Sequence, residues 1–253
     1  MLSVNKDERR KHCVNWMSTT GQKWLTAGDY TPKPGSDLAG DDTIRPEPSG
    51  QAVFAIAVGL DHFGSVTTAL GSPQGLGFAR HFAPYSALRA ALLTASQAVW
   101  ILGPTERKER QRRSLILART SVIEHRKAIK AFDLKAPTEK QIEGKQATLD
   151  ALGKQLELIE KTASDAGLDA LADFNSTAAI QAAVKIVDPT DEWFGLAIEH
   201  LWRSGSAAAH GYSWRLSHQK DPQVFDIDQF DMALQGSWLM VSHAIELYEQ
   251  RAT

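Results

Sequence analysis

Four polar side chains late in the sequence carry the groups that metal-free phosphodiester chemistry needs. In the stretch EHLWRSGSAAAHGYSW, Glu199 to Trp214, the residues Glu199, Arg203, Ser206 and His210 recur at i, i+4, i+7 and i+11. Turning 100° per residue from Trp193, that spacing sets the four on one side of a helix and Phe194, Ala197, Ile198, Leu201, Ala208 and Ala209 on a broad apolar face opposite. Cleaving RNA without a metal takes a group that moves a proton from the 2′-hydroxyl or to the leaving oxygen near neutral pH, the range in which histidine titrates. It also takes a fixed cation for the charge that builds on the phosphate, and a guanidinium offers a planar fork of donors for it. His210 and Arg203 are these types, two turns or about 10 Å apart on a straight helix, with Glu199 and Ser206 set to orient them.

At these residues the chain resembles the HEPN superfamily, helical bundles whose signature is an Arg, four to six intervening residues, and a His near a helix end. Here Arg203 and His210 enclose six residues, and the following Gly211 and Tyr212 are similar to the His-x-Tyr ending of HEPN toxins. The resemblance is close over the motif and, by helix content, loose over the last two-thirds of the chain. It implies a metal-independent endoribonuclease or toxin of a defence or toxin–antitoxin type system. RNA would be the substrate, a cognate antitoxin protein a partner, and a homodimer the working form, with two motifs facing across a cleft and no cofactor. It also implies His210 as acid/base, Arg203 as phosphate stabiliser, and Tyr212 as a modification target. Arg119 and His125 show a permitted spacing too, but His125 falls on an expected packing line.

Bland readings stand beside these. A His before a Gly is what a helix C-terminus looks like without catalysis, since glycine takes the left-handed cap and the helix dipole favours a cation there. Arg203 can equally pair with Glu199 on the helix surface, and Tyr212 can simply pack at the helix end. The rival function is therefore a non-catalytic helical interaction or scaffold protein. The basic run Arg107, Lys108, Arg110, Arg112 and Arg113 can track an RNA backbone, or it can be a solvated face interleaved with Glu106 and Glu109. Trp193, Trp202, Trp214 and Trp238 suit base stacking or, more commonly, packing.

No phosphate-binding glycine loop, H-E-x-x-H pair or nucleophile elbow occurs, which withdraws support from the common nucleotide and hydrolase classes. His12, His62, His81, His200, His218 and His243 form no metal-ligand pattern, and the only cysteine, Cys13, permits neither an internal disulfide nor a cysteine zinc cluster. A reducing, cytoplasmic setting fits, because the N-terminus carries charge where a secretory signal has an apolar core. No membrane association is expected, since the near-apolar stretch 82–102 holds Arg89 and reads as a buried helix. The net charge of −2 hides an asymmetry: residues 104–135 hold ten Lys/Arg against four Asp/Glu, a net of +6.

The elements that must position the motif read as all-α, a multi-helix bundle with a long antiparallel helical hairpin. Residues 1–50 are expected to be an N-terminal helix (about 4–27, with Val14, Met17 and Leu25 inward) and a flexible Pro/Gly/Asp-rich linker. Residues 51–253 form the bundle. A helix over 52–70 ends at GSPQGLG (71–77), and the most apolar helix, 84–102, belongs at the centre. The basic hairpin spans 104–161, with Leu115, Val122, Ile129 and Ala118, His125, Phe132 on one arm's seam and Ile142, Leu149, Leu156, Leu152 and Ile159 on the other. Asn175 and Asp188 to Asp191 cap the next two helices. After the loop at 213–223, a final helix (228–251) turns Met232, Trp238, Leu239, Val241, Ile245 and Leu247 inward.

Overall fold

Capping side chains mark where the chain enters its helices. Thr138 and Gln141 form a reciprocal capping box, and Asn175, Asp191 and Asp226 each accept a backbone N–H three residues on, satisfying donors that no helical carbonyl can reach. The computed structural model describes residues 6–72, 82–133, 135–168, 170–218, 221 and 224–253, without the side chains of Glu192, Arg215 and His218. In chain order these are α1 (Lys6–Trp16), a π-helical turn (Met17–Gly21), α2 (Gln22–Thr26), α3 (Asp37–Asp41), α4 (Pro48–Gly71) and α5 (Ala83–Leu102). There follow α6 (Arg107–Ala131), α7 (Glu139–Asp165), α8 (Ser176–Val187), α9 (Glu192–His210), a 3-10 turn (Ser213–His218) and α10 (Ile227–Ala252). No strand occurs among the described residues, so the all-α bundle with its α6–α7 hairpin stands. Of the expected loops, residues 73–77 and residues 219, 220, 222 and 223 lie outside the described residues.

α5 is the centre, as its composition demands. Leu88, Ala91, Leu92, Ala95, Ala98, Val99, Ile101 and Leu102 are buried, with α4, α6, α8, α9 and α10 packed around them. Burying each large aliphatic side chain stabilises by about 1.5–3 kcal/mol, and the interspersed alanines let neighbours approach. At its end Gly103 lets α8 come close: a Cβ there would stand 2.3 Å from Ile186 Cδ1, and that side chain would have to shift. α4 is long and apolar enough to cross a membrane by length and composition, yet its Ile56, Leu60 and Phe63 are fully buried in the bundle.

The expected flexible linker is instead ordered against α4, α6 and α10. Residues 31–50 contain α3, and Leu38, Asp41 and Ile44 are buried. Asp41 receives both Nε (2.6 Å) and Nη2 (2.8 Å) of Arg110, and its backbone carbonyl receives Gln111 Nε2 at 2.9 Å. Arg251 of α10 reaches Asp37 at 2.6 Å, and Lys33 N–H donates to Ala252 O. The segment is a docked strap, α1 packs on α4 and α10, and the π-helical turn packs on α4, burying Cys13 and Met17, so residues 6–50 share the bundle's core.

The hairpin's base is packed and its far half is two helices thick. Leu115, Ala118, Leu152 and Ile159 are buried, whereas Phe132 and Ile142 of the expected seam are exposed. His125 is exposed as well. In α10, Val241 and Ile245 face inward but Met232 and Leu239 do not; Phe230, Leu234, Met240 and Tyr248 fill the interior.

Candidate functional site

Asp191 starts α9 by accepting Phe194 N–H at 3.1 Å, after Asp188 has turned the chain by accepting from Thr190 and Asp191 N–H. Ile198, Leu201 and Trp202 anchor the helix to the core, while Ala197 and Ala209 of the expected apolar face are exposed. Gly211 ends it at φ +70°, and both Gly211 and Tyr212 N–H donate to Ala207 O. This left-handed cap leaves His210 in solvent with its ring stacked on Tyr212, centroids 5.6 Å apart.

Arg203 is exposed two turns earlier on the same edge. Its Nε and Nη2 donate to Glu199 Oε1 at 3.1 and 2.7 Å, and Gln181 Nε2 of α8 donates to Glu199 Oε2 at 3.3 Å. The Arg203 hydrogen bond first, and then Gln181, hold the Glu199 carboxyl below the usual glutamate range. Ser206 is half-buried between Arg203 and His210. Arg203 and His210 thus share an open edge without touching, and Tyr212 is exposed beside them. Ser204, next to Arg203, turns inward toward Gln229 Oε1 at 3.5 Å. A groove of about 640 Å³ between α8 and α9, lined by Gln181, Lys185, Asp188 and Leu196, opens at Glu199.

The basic run does not form a uniform solvent face. Arg110 is 2% exposed and saturated by Asp41, Pro104 O and Thr105 O, which removes it from any phosphate contact. Arg112 and Arg113 both bond Glu109, and Arg113 also donates to Trp100 O and lies over that ring. Arg107 reaches Asp41 at 3.3 Å while half-exposed, and Lys108 donates to Gly167 O at 3.4 Å. The run chiefly ties α6 to the strap and to α5. Arg119, of the other Arg–His pair, is held by Glu160 and Asp173.

Among the tryptophans, Trp193 is 80% exposed, Trp214 partly so, and Trp202 buried. Trp238 packs against His12 and Trp16. No cluster of three or more His, Cys, Asp or Glu able to hold a metal ion occurs among the described residues; His81 and the His218 side chain lie outside them.

Two features are not evident from the sequence. A cleft of about 810 Å³ lies between the hairpin and α4, lined by Phe54, Gln97, His125, Leu158 and Phe174, remote from the Arg203 edge. The other is Arg89 of α5, whose guanidinium carbon sits 3.9 Å over the Trp202 ring. A lone arginine in an apolar helix was the available signal. Comparison with protein-family models, with curated proteins and with solved structures finds no match for this chain.

Proposed function

We propose that the chain is a HEPN-like, metal-independent endoribonuclease, a toxin of a defence or toxin–antitoxin type system acting as a cytoplasmic homodimer. One observation carries this reading: the Glu199 carboxylate clamps Arg203 on the same solvent-open edge to which the Gly211 cap delivers His210. A preset guanidinium costs no reorganisation when charge develops on the phosphate. In the reaction an imidazole of His210 takes the 2′-hydroxyl proton, O2′ bonds to phosphorus, and the bond from phosphorus to O5′ breaks. Arg203 stabilises the oxyanion of the intermediate state. The departing O5′ needs a proton, and in the homodimer the second copy's His210 supplies it. Trp193 and Leu196, exposed on the same helix, offer apolar surface for that copy, and a cognate antitoxin would silence the toxin by covering this edge.

Induced expression tests the reading. The wild type is expected to fragment cellular RNA and slow growth, while His210→Ala, with the same circular dichroism and melting temperature, does neither. Equal behaviour of two folded proteins transfers the case to the rival, a helical interaction protein. That rival draws on the Phe54–Leu158 cleft and on a basic run spent largely on internal bonds.

A further inference from the structure

We infer that Arg89 is a phosphate-binding residue of the Arg203–His210 edge, its unmatched guanidinium taking a phosphodiester oxygen on the far side of Ser206 from Arg203. This rests on the nuclease reading for the identity of the diester, and on geometry for the site. Arg10, Arg110, Arg113, Arg119 and Arg251 each meet a carboxylate. Arg89 meets an indole face, and its buried Nε–H has no hydrogen-bond partner among the described residues. A buried donor left unmatched is costly, and a guanidinium stacked on an aromatic face is a planar fork already oriented for an oxyanion. Among the described residues Arg126 also has an unmatched buried Nε–H, and it stands on the hairpin.

The position follows from α9. A Cβ on Gly205 would lie 2.6 Å from Arg89 Cβ and 3.0 Å from Tyr85 O, so glycine lets α5 come close enough for Arg89 to rise against Trp202. At 100° per residue Ser206 lies about 40° around the helix from Trp202 and about 60°, on its other side, from Arg203. Arg89, stacked on Trp202, thus approaches α9 on one side of Ser206 and Arg203 stands on the other, with His210 a turn further on. Each cation addresses one side of a phosphate seated over Ser206, which a single arginine cannot do.

The test uses full-length protein carrying 15N-arginine, in which the Arg89 Nε–H resonance is assigned by its loss in Arg89→Lys. Inorganic phosphate and a mixed-sequence 2′-O-methyl oligoribonucleotide, which cannot be cleaved through its 2′ position, are titrated separately. The resonance is expected to move saturably with both. Arg89→Gln is expected to bind the oligonucleotide roughly tenfold or more weakly and to lose about 0.7 from the slope of log affinity against log salt. Arg89→Lys should regain the slope without the full affinity, because the charge returns and the fork does not. A resonance unmoved by either probe, or moved by phosphate and not by the oligonucleotide, overturns the assignment, and so does an unchanged salt slope in a folded Arg89→Gln. If Arg89→Gln fails to fold, the wild-type titration decides. Cleavage of ordinary RNA by wild type and His210→Ala is followed alongside: loss of the nuclease reading with the Arg89 responses intact leaves a single-strand RNA-binding site, while the converse leaves a nuclease whose Arg89 only packs.

Discussion

Glu199 acts on Arg203 as both a clamp and a charge, and its own titration reports the clamp. Its carboxyl is held low by the Arg203 hydrogen bond and then by Gln181; a lowered folded value means the pair is whole above the ordinary glutamate range and is lost as pH falls through the lowered one. Arg203→Gln is therefore expected to bring the Glu199 midpoint back up toward that range, read from the carboxyl 13C shift. An unmoved midpoint would mean the clamp is absent in solution. Because Glu199 stays ionised wherever an imidazole titrates, it leaves the pH profile of cleavage to other groups. Gly211 is the second residue on which the edge depends. At φ +70° any side chain costs about 1–2 kcal/mol, so Gly211→Ala should lower stability by that amount. It should also cut cleavage further than the lost stability explains, since the turn aims His210. Gly211→Asn, which tolerates the left-handed region better, should recover part of both in melting and single-turnover assays.

At the scale of elements, the strap of residues 31–50 has one ion pair sealed in the interior, Asp41 with Arg110. Asp41 is fully buried and Arg110 nearly so, and removing one partner strands a charge in the interior. Asp41→Ala or Arg110→Ala is expected to cost about 3–5 kcal/mol, whereas Asp41→Leu with Arg110→Met together should be near neutral. Denaturant titration measures this, and amide exchange of residues 37–44 should rise only in the single variants. The same pair explains what could be read in advance. α5, α6, α7, α8 and α9 were legible because periodicity and caps such as Asn175 and Asp191 are local. The strap was not, because its order comes from a partner 69 residues away while its Pro/Gly/Asp composition is that of a loop. The basic run misled for a related reason: composition shows guanidiniums, and only the packed helices show that Arg110 and Arg113 are used inside. Of the candidate edge, the shared face of Arg203, Ser206 and His210 was in the spacing. Arg89 was not, since its place there depends on how closely α5 crosses α9 at Gly205.

For the whole molecule, the question is whether the N-terminal helix melts with the bundle or peels away from it. Arg10 bonds Asp231 of α10 at 2.7 and 3.3 Å, and Cys13 is 1% exposed beneath it, so α1 closes the core that α5 organises. Burial first, and the nearby Asp231 carboxylate second, push the Cys13 thiol up to about 12. A native thiol so placed is both covered and protonated, and disulfide reagents should reach it only when the chain opens. Its labelling is expected to follow the same denaturant midpoint as tryptophan fluorescence, while the two-helix tip beyond Val122 exchanges its amides well before that. Labelling at the rate of a free thiol in native buffer would show that α1 is a separate, loosely held element. The linkage has a definite sign. A folded value raised above the unfolded one makes the contribution complete below the unfolded thiol's range and erodes it as pH climbs toward the folded value, by at most about 1.4 kcal/mol per pH unit. Alkaline destabilisation beginning near pH 9 should therefore be shallower in Cys13→Ala than in the wild type; if the two curves run parallel, the thiol titrates alike in both states and α1 does not seal the core.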